Sequence, residues 1–371
     1  MVNRERLVEE FLELIQIDSP SGQERAIADV LKQKLTDLGF EVYEDNAGGQ
    51  VGATAGNIIA TLPGDGAGLM LMLSAHMDTV EPGIGVKPVI NDGVISSAGD
   101  TVLGGDDKAG VAVILEAVRC IKENNVRHGG LEVIFTIWEE GGLRGAKALD
   151  YSKVKSKMGY VLDSDGAPGK LIITAPTSNA ISATIKGKAA HAGMSPEKGI
   201  SAIQVAAKAL AKMNLGRIDE ETTANIGIIQ GGKATNIVPD NVYISGEARS
   251  LNPEKLAAQT KHMCDLLQQE ADAAKAEIII DVEKEYDVIN LSQGDQVVQH
   301  AVAAAKNLGL QPVLGSTGGG SDANVFNGRG ICCANIAIGM NKVHTTDENI
   351  KIADMCQVAK FVVEIVKETN K

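Results

Sequence analysis

Aromatic side chains are scarce in this chain: Phe, Trp and Tyr make up 3% of its 371 residues. A core without them must be filled by Val, Ile, Leu, Ala and Met, and 44% of the residues are hydrophobic. Positive charge is short as well. Lys and Arg number 35 against 48 Asp and Glu, a net charge of −13. That balance argues against a nucleic-acid partner or an anionic membrane surface and favours cation binding. No stretch approaches the roughly 18 apolar residues of a membrane-spanning helix. The opening MVNRERLVEEFLELIQI carries charges throughout and lacks the apolar centre of a secretory leader. The cysteines Cys120, Cys264, Cys332, Cys333 and Cys356 are odd in number and without CxxC spacing. They read as reduced thiols of a cytoplasmic protein rather than a disulfide framework.

What is present is glycine, at 41 residues, and enough chain for two domains. The first half alternates helical and strand patterns. Leu7, Phe11, Leu14 and Ile15 form one apolar helical stripe, and the segment near 23–38 gives another. Strands are expected at NIIATL, LMLMLSAH and LEVIFTIW, with a helix at DDKAGVAVILEAVRCIKEN between the last two. This is an α/β pattern with helices covering an apolar sheet. From about 178 to 288 the order becomes strand, helix, strand, strand, helix, strand, that of a ferredoxin-like α+β domain. After it a helix at DQVVQHAVAAAKNLGL and a strand at GICCANIAIG resume the first style. The expected organisation is one α/β domain, 1–177 and 289–371, interrupted by an inserted domain at 178–288.

Chemistry-bearing residues gather where elements of the α/β part end. FTIWEEGGLRG places Glu139 and Glu140 side by side at the end of an apolar strand, where alternation aims them to different places. Adjacent carboxylates repel unless water or a cation offsets them. In LSAHMDTV, His76 and Asp78 share a face of an extended chain, so the carboxylate can orient the imidazole. LGGDDKAGV puts Asp106 and Asp107 at a helix start, where either also suits an N-cap. YVLDSDGAPG ends a strand in Asp163 and Asp165, expected on one face of the extended chain, and NKVHTTDENI holds His344 ahead of a helix expected near 345–348. In open α/β sheets this edge binds ligands. Two His with several carboxylates suit zinc, with cobalt or manganese as alternatives. Without a cation, so many clustered carboxylates would be strained or protonated.

The motifs SAHMDTV, LGGDDKAG, WEEGGLRGA, KAAHAGMSPEKGISAI, NIVPDNVYISGEAR, GGGSDANVF and HTTDE occur in the order of the dinuclear-zinc exopeptidases. That family includes peptidase T, the glutamate carboxypeptidases and the acetylornithine deacetylases. The resemblance spans nearly the whole chain, and its wording is most similar to the peptidase T branch. It implies two zinc ions per subunit: His76 and Asp163 on one, Glu140 and His344 on the other, with Asp106 bridging. Asp165 is the rival of Asp163. It further implies Asp78 as partner of His76, Glu139 as general base, and a cis peptide between Asp106 and Asp107. In the inserted domain, His191 would stabilise the tetrahedral intermediate. Asn236 and Arg249 would bind the substrate's terminal carboxylate, and Gly319 and Ser321 would line the substrate loop. The implied activity is removal of the N-terminal residue from short peptides such as tripeptides. The alternatives are a deacylase or carboxypeptidase acting on N-acyl amino acids and, more remotely, a non-catalytic metal-dependent peptide binder. The resemblance leaves open both a monomer and a homodimer formed through the inserted domain.

Overall fold

The computed structural model describes residues 1–65 and 68–371. The chain divides into two units, one of Met1–Thr174, Asn290–Thr317 and Ser321–Lys371, the other of Ala175–Ile289 with Gly318–Gly320.

The first unit is built on a mixed sheet. Its main path runs Glu41–Glu44, Ile58–Pro63, Gly130–Thr136, Leu71–His76, Met158–Asp165, Cys332–Asn341, Asn349–Lys351, Val94–Ser97, Pro88–Asn91. The four central strands, Gly130–Thr136 to Cys332–Asn341, are mutually parallel. Their C-terminal ends therefore share one edge. Leu71–His76 and Gly130–Thr136 are buried at every position, as expected of parallel strands covered on both faces. This explains their continuous apolar runs. Helices Arg4–Ile15, Gly105–Glu123, Gln296–Asn307 and Ile352–Glu368 contact one another and supply much of the core. With few aromatics, that core is aliphatic, and small residues let elements approach closely. A Cβ on Gly110 would stand 2.4 Å from the carbonyl oxygen of Leu162, so glycine is required where this helix crosses the strand.

Three local expectations are corrected. No helix begins near 345–348: that segment is a turn, followed by the short strand Asn349–Lys351 and only then by helix Ile352–Glu368. Strand Gly130–Thr136 stops before Trp138, whose φ is +46°. Glu139 and Glu140 consequently diverge through a turn, not through strand alternation. Asp163 and Asp165 do not share surroundings, because the pairing of their strand with Cys332–Asn341 shifts register between Asn335 and Ala337 and again before Met340. Asp165 is exposed and pairs with Lys170 at 2.9 Å.

The second unit is a five-stranded antiparallel sheet in the order Gly216–Arg217, Thr222–Gly231, Asn241–Ser250, Thr177–Lys186, Glu277–Tyr286. Helices Ala202–Leu210 and Pro253–Ala274 pack on one another and on the sheet over Ile181, Ile185, Val242 and Ile244. Of the four long strands, the first in the chain, Thr177–Lys186, lies between the third, Asn241–Ser250, and the fourth, Glu277–Tyr286, the ferredoxin-like arrangement. Gly318–Gly320 join this unit through Arg249, whose Nη1 donates to the Gly318 carbonyl at 3.1 Å.

Near the N-terminus, Glu44 receives Arg25 at 2.6 and 3.0 Å, Lys32 at 2.7 Å and the Gly56 N–H at 3.0 Å. Partial burial pushes its pKa up, but these donors outweigh it and bring the pKa down to about 2. A depressed carboxylate stabilises above its unfolded pKa and loses that contribution as pH falls through the folded value. After allowance for solvent screening, Glu44→Gln should cost about 1 kcal/mol at pH 7. Urea unfolding at pH 7 and pH 3 should show the deficit shrink by more than half at the lower pH; an unchanged deficit would exclude the ion cluster as its source.

Candidate metal centre

Four loops leave the shared edge of the parallel strands, and each delivers a candidate ligand. His76 is the last residue of its strand and is 2% exposed. Glu139 and Glu140 follow the strand ending at Thr136, Asp163 lies near the end of the next, and His344 follows the strand ending at Asn341. Asp106 comes from the first turn of helix Gly105–Glu123. There Asp106 and Asp107 are non-helical and joined by a cis peptide.

Asp106 stands between the two histidines. Its Oδ1 is 3.2 Å from His76 Nε2 and its Oδ2 is 3.2 Å from His344 Nε2. His76 Nε2 lies 3.9 Å from Asp163 Oδ1, and His344 Nε2 lies 3.0 Å from Glu140 Oε1. That Glu140 oxygen is buried yet makes no aligned hydrogen bond. Ligand atoms each about 2.0–2.1 Å from a tetrahedral ion stand about 3.3 Å from one another. The separations here are those of donors sharing ions, and His76, Asp106 and Glu140 offer atoms close enough to hold one. The residues therefore fit divalent-cation binding beside Asp106.

The electrostatics agree. Burial, reinforced by neighbouring carboxylates, pushes Asp163 and Glu139 well above the usual carboxylate range. Asp106 is held low in spite of burial, by His344 and His76. Burial opposes charge on His76, but Asp106 and Asp78 keep its pKa raised. Hydrogen bonds to Asp106 and Glu140 bring His344 up to about 10. Bringing these groups together thus favours either protonated carboxylates or a bound cation.

Asp78 does more than face His76. The imidazole Nδ1 lies 2.9 Å from the Asp78 backbone carbonyl, against 3.5 Å to its carboxylate. The carboxylate instead accepts the backbone N–H groups of Glu139 at 2.9 Å and Glu140 at 3.3 Å, plus the Ser21 hydroxyl at 2.6 Å. It thereby fixes the turn carrying both glutamates.

Further residues complete the surroundings, and the roles of most were not legible in their motifs. Asp107, read as a helix cap, accepts the His76 N–H at 3.2 Å and lies within ligand distance of His76 and Asp163. Lys108 is 1% exposed, with Nζ donating to the Ile17 carbonyl at 2.6 Å; burial lowers its pKa to about 8. Glu24 is fully buried, and its Oε1 accepts from Gly22 N at 2.6 Å and Trp138 N at 3.1 Å. Asp322 is buried against the Thr136 hydroxyl at 2.5 Å. Ser321 precedes it as a helix cap in this unit, its Oγ accepting from Asn335 Nδ2 at 3.3 Å.

Within the second unit, His191 is exposed and its Nδ1 accepts the backbone N–H groups of Gly193 and Met194, both at 3.2 Å. A neutral imidazole so held carries its proton on Nε2. The His191 and Asn236 loops run side by side, with Ala192 N donating to Asn236 O at 2.9 Å and His191 bridging Ile237. Arg249 directs Nε and Nη2 at Glu247, at 2.9 and 2.8 Å. Gly319 belongs to the same unit.

Residues 72–368 match the model of Peptidase family M20/M25/M40. Aminopeptidase PepT from Bacillus cereus ATCC 10987, known from a crystal structure, is 49% identical with a TM-score of 0.93, over 100% of both chains. A tripeptidase from Staphylococcus aureus subsp. aureus Mu50 is 42% identical with a TM-score of 0.95, over 100% of this chain and 99% of the other. Carboxypeptidase G2 of Pseudomonas sp. (strain RS-16) is 31% identical over 84% of this chain and 76% of its own. The chain belongs to Peptidase family M20/M25/M40, a family of metal-dependent peptidases.

Ligation requires neutral imidazoles and ionised carboxylates, and the surroundings of His76, His344 and Asp163 favour their protonated forms, so a bound cation competes with protons there. Zinc binding near pH 7 should release protons, and affinity should rise about tenfold per pH unit for each proton released. Calorimetric titration with zinc in two buffers of different ionisation enthalpy measures this. Identical heats in both would contradict it.

Proposed function

We propose that this protein is a dinuclear metal-dependent aminopeptidase that removes the N-terminal residue of short peptides, tripeptides among them. The observation that carries the reading is Asp106 set between His76 and His344 with one oxygen toward each, and with Glu139 raised in pKa beside them. Full-length identity of 49% to an aminopeptidase adds support.

In this reading His76 and Asp163 would hold one ion and Glu140 and His344 the other, with Asp106 offering an oxygen to each. When bound, such a pair polarises a carbonyl and brings the pKa of water toward neutrality. Glu139, 8% exposed, accepts a proton from the water attacking the scissile carbonyl and delivers it to the departing amine. Asp78 keeps Glu139 in place through its backbone N–H. His191 offers an Nε2–H suited to an oxyanion. Arg249 and Asn236 receive the terminal carboxylate, with Gly319 and Ser321 lining the approach. A planar guanidinium suits that task, and the substrate must compete with Glu247 for it. Zinc fits the donor set, with cobalt or manganese as alternatives.

Two further features of the reading concern setting. The strand Thr222–Gly231 is paired on its outer side only at Thr223 and Ala224. Its open stretch exposes Ile228 and Ile229 by 46% and 51%. An edge of this kind favours pairing with a second copy, which supports a homodimer through the second unit. Among the described residues no helix is long and apolar enough to cross a membrane, and all five cysteines are free, consistent with a cytoplasmic enzyme without membrane or nucleic-acid partners.

Glu139→Gln should retain metal content and thermal stability while kcat falls by a factor of at least about 100; a loss below tenfold would remove Glu139 from the role of base. Cleavage of a free tripeptide should greatly exceed that of its N-acetylated form. Equal or faster cleavage of the blocked peptide would favour the carboxypeptidase or deacylase reading, to which the resemblance to carboxypeptidase G2 points. No cleavage of either, with metal bound, would leave a peptide-binding protein.

A further inference from the structure

Glu348 lies four residues after His344 and is 2% exposed. Both of its carboxylate oxygens accept backbone N–H groups. Oε2 accepts the Gly104 N–H at 2.9 Å, and Oε1 accepts the Asp106 N–H at 2.9 Å. These donors belong to the turn that opens helix Gly105–Glu123, where Asp106 and Asp107 depart from helical geometry and lack the usual capping bonds. Gly104 has φ +73° and its side-chain-free neighbour Gly105 lies against the same carboxylate: a Cβ there would stand 2.9 Å from Glu348 Oε1. A backbone held in non-helical form at a helix start needs an outside acceptor for its N–H groups. Glu348 supplies two acceptors from a single buried side chain.

We propose that Glu348 is a positioning residue which ties the loop of His344 to the turn of Asp106 and sets the bridging carboxylate between the two metal positions. This rests on Asp106 being the bridge in the reading above. The chain reaches the same turn from two sides. His344 approaches the Asp106 carboxylate, and Glu348 holds the Asp106 backbone. Movement of the His344 loop is thereby coupled to movement of the bridge, and the two ends of one ion's ligand set are locked together without Glu348 touching the ion. Outer partners that orient ligands in this way typically contribute 10–100-fold to metal affinity.

Glu348→Gln keeps the volume but turns an NH2 group toward one of the two backbone donors. Gly105→Ala perturbs the same clamp from the other side, by crowding Oε1. Both are compared with the parent protein by zinc competition against a chromogenic chelator, by hydrogen–deuterium exchange of the metal-free protein, and by thermal melting. The expected result is at least tenfold weaker zinc binding and faster exchange confined to 103–107. Melting of the metal-free protein should shift little, and kcat should fall more than KM rises. Unchanged zinc affinity in a folded Glu348→Gln overturns the proposal. So does unchanged exchange at Gly104 and Asp106. If one variant fails to fold, the other decides on the same measurements. If the parent protein itself binds no zinc, the functional reading falls, and exchange at the turn alone decides whether Glu348 holds it.

Discussion

Everything in the first unit is arranged around one electrostatic problem: more carboxylates meet at the end of the sheet than protein donors can neutralise. Asp78, Asp106, Asp107, Glu139 and Asp322 are all at most 8% exposed, with Glu140 and Asp163 beside them. The protein's own cations there are His76, His344 and the buried Lys108. Such a concentration of like charge is costly in a low-dielectric setting. Burial and mutual repulsion push Asp163 and Glu139 toward their neutral forms, and the facing carboxylates favour charge on both imidazoles. Divalent cations meet it better, because one ion replaces several protons and satisfies orphaned oxygens at once.

The fold makes that concentration buildable. Four parallel strands end together, so residues distant in the chain arrive at one edge without long loops. The strands are held rigidly because they are buried on both faces. The turns that follow are held by carboxylates acting on backbone N–H groups: Asp78 on Glu139 and Glu140, Glu24 on Trp138, Glu348 on Gly104 and Asp106. Acidic residues thus do two separate jobs at this edge. Some face the ion positions, and others fix the backbone that aims them. The net charge of −13 partly records this double use.

Much of the architecture is legible in the sequence because its periodicities are strong. Continuous apolar runs such as LMLMLSAH mark buried parallel strands, and the six-element order between Thr177 and Tyr286 marks the ferredoxin-like sheet. The candidate ligands are legible because a His or a carboxylate at the end of such a run has few bland uses. What periodicity cannot carry is the path of the chain after a strand ends. The turn at Trp138, the shifted register that separates Asp163 from Asp165, and the turn of 344–348 all depend on tertiary contacts. The backbone-holding residues were also hidden. Glu24 and Glu348 look like ordinary helix-edge or loop glutamates until their burial is known, and Lys108 looks like a first-turn helix lysine.

The second unit follows a different logic. Its helices cover one face of an antiparallel sheet, and its polar groups sit on loops and edges. His191 is oriented by two backbone N–H groups of its own loop, and Arg249 by Glu247 and the Gly318 carbonyl. His191 is preset while exposed and Arg249 while half-buried, which suits groups that must exchange protein partners for a substrate.

The central claim is that two cations share the Asp106 carboxylate. A crystal of the zinc-loaded protein, measured on both sides of the zinc absorption edge, tests it directly. The account predicts two anomalous peaks, one beside His76 and Asp163 and the other beside His344 and Glu140, with Asp106 between them. A single peak, or a pair that leaves Asp106 outside both coordination spheres, would contradict it.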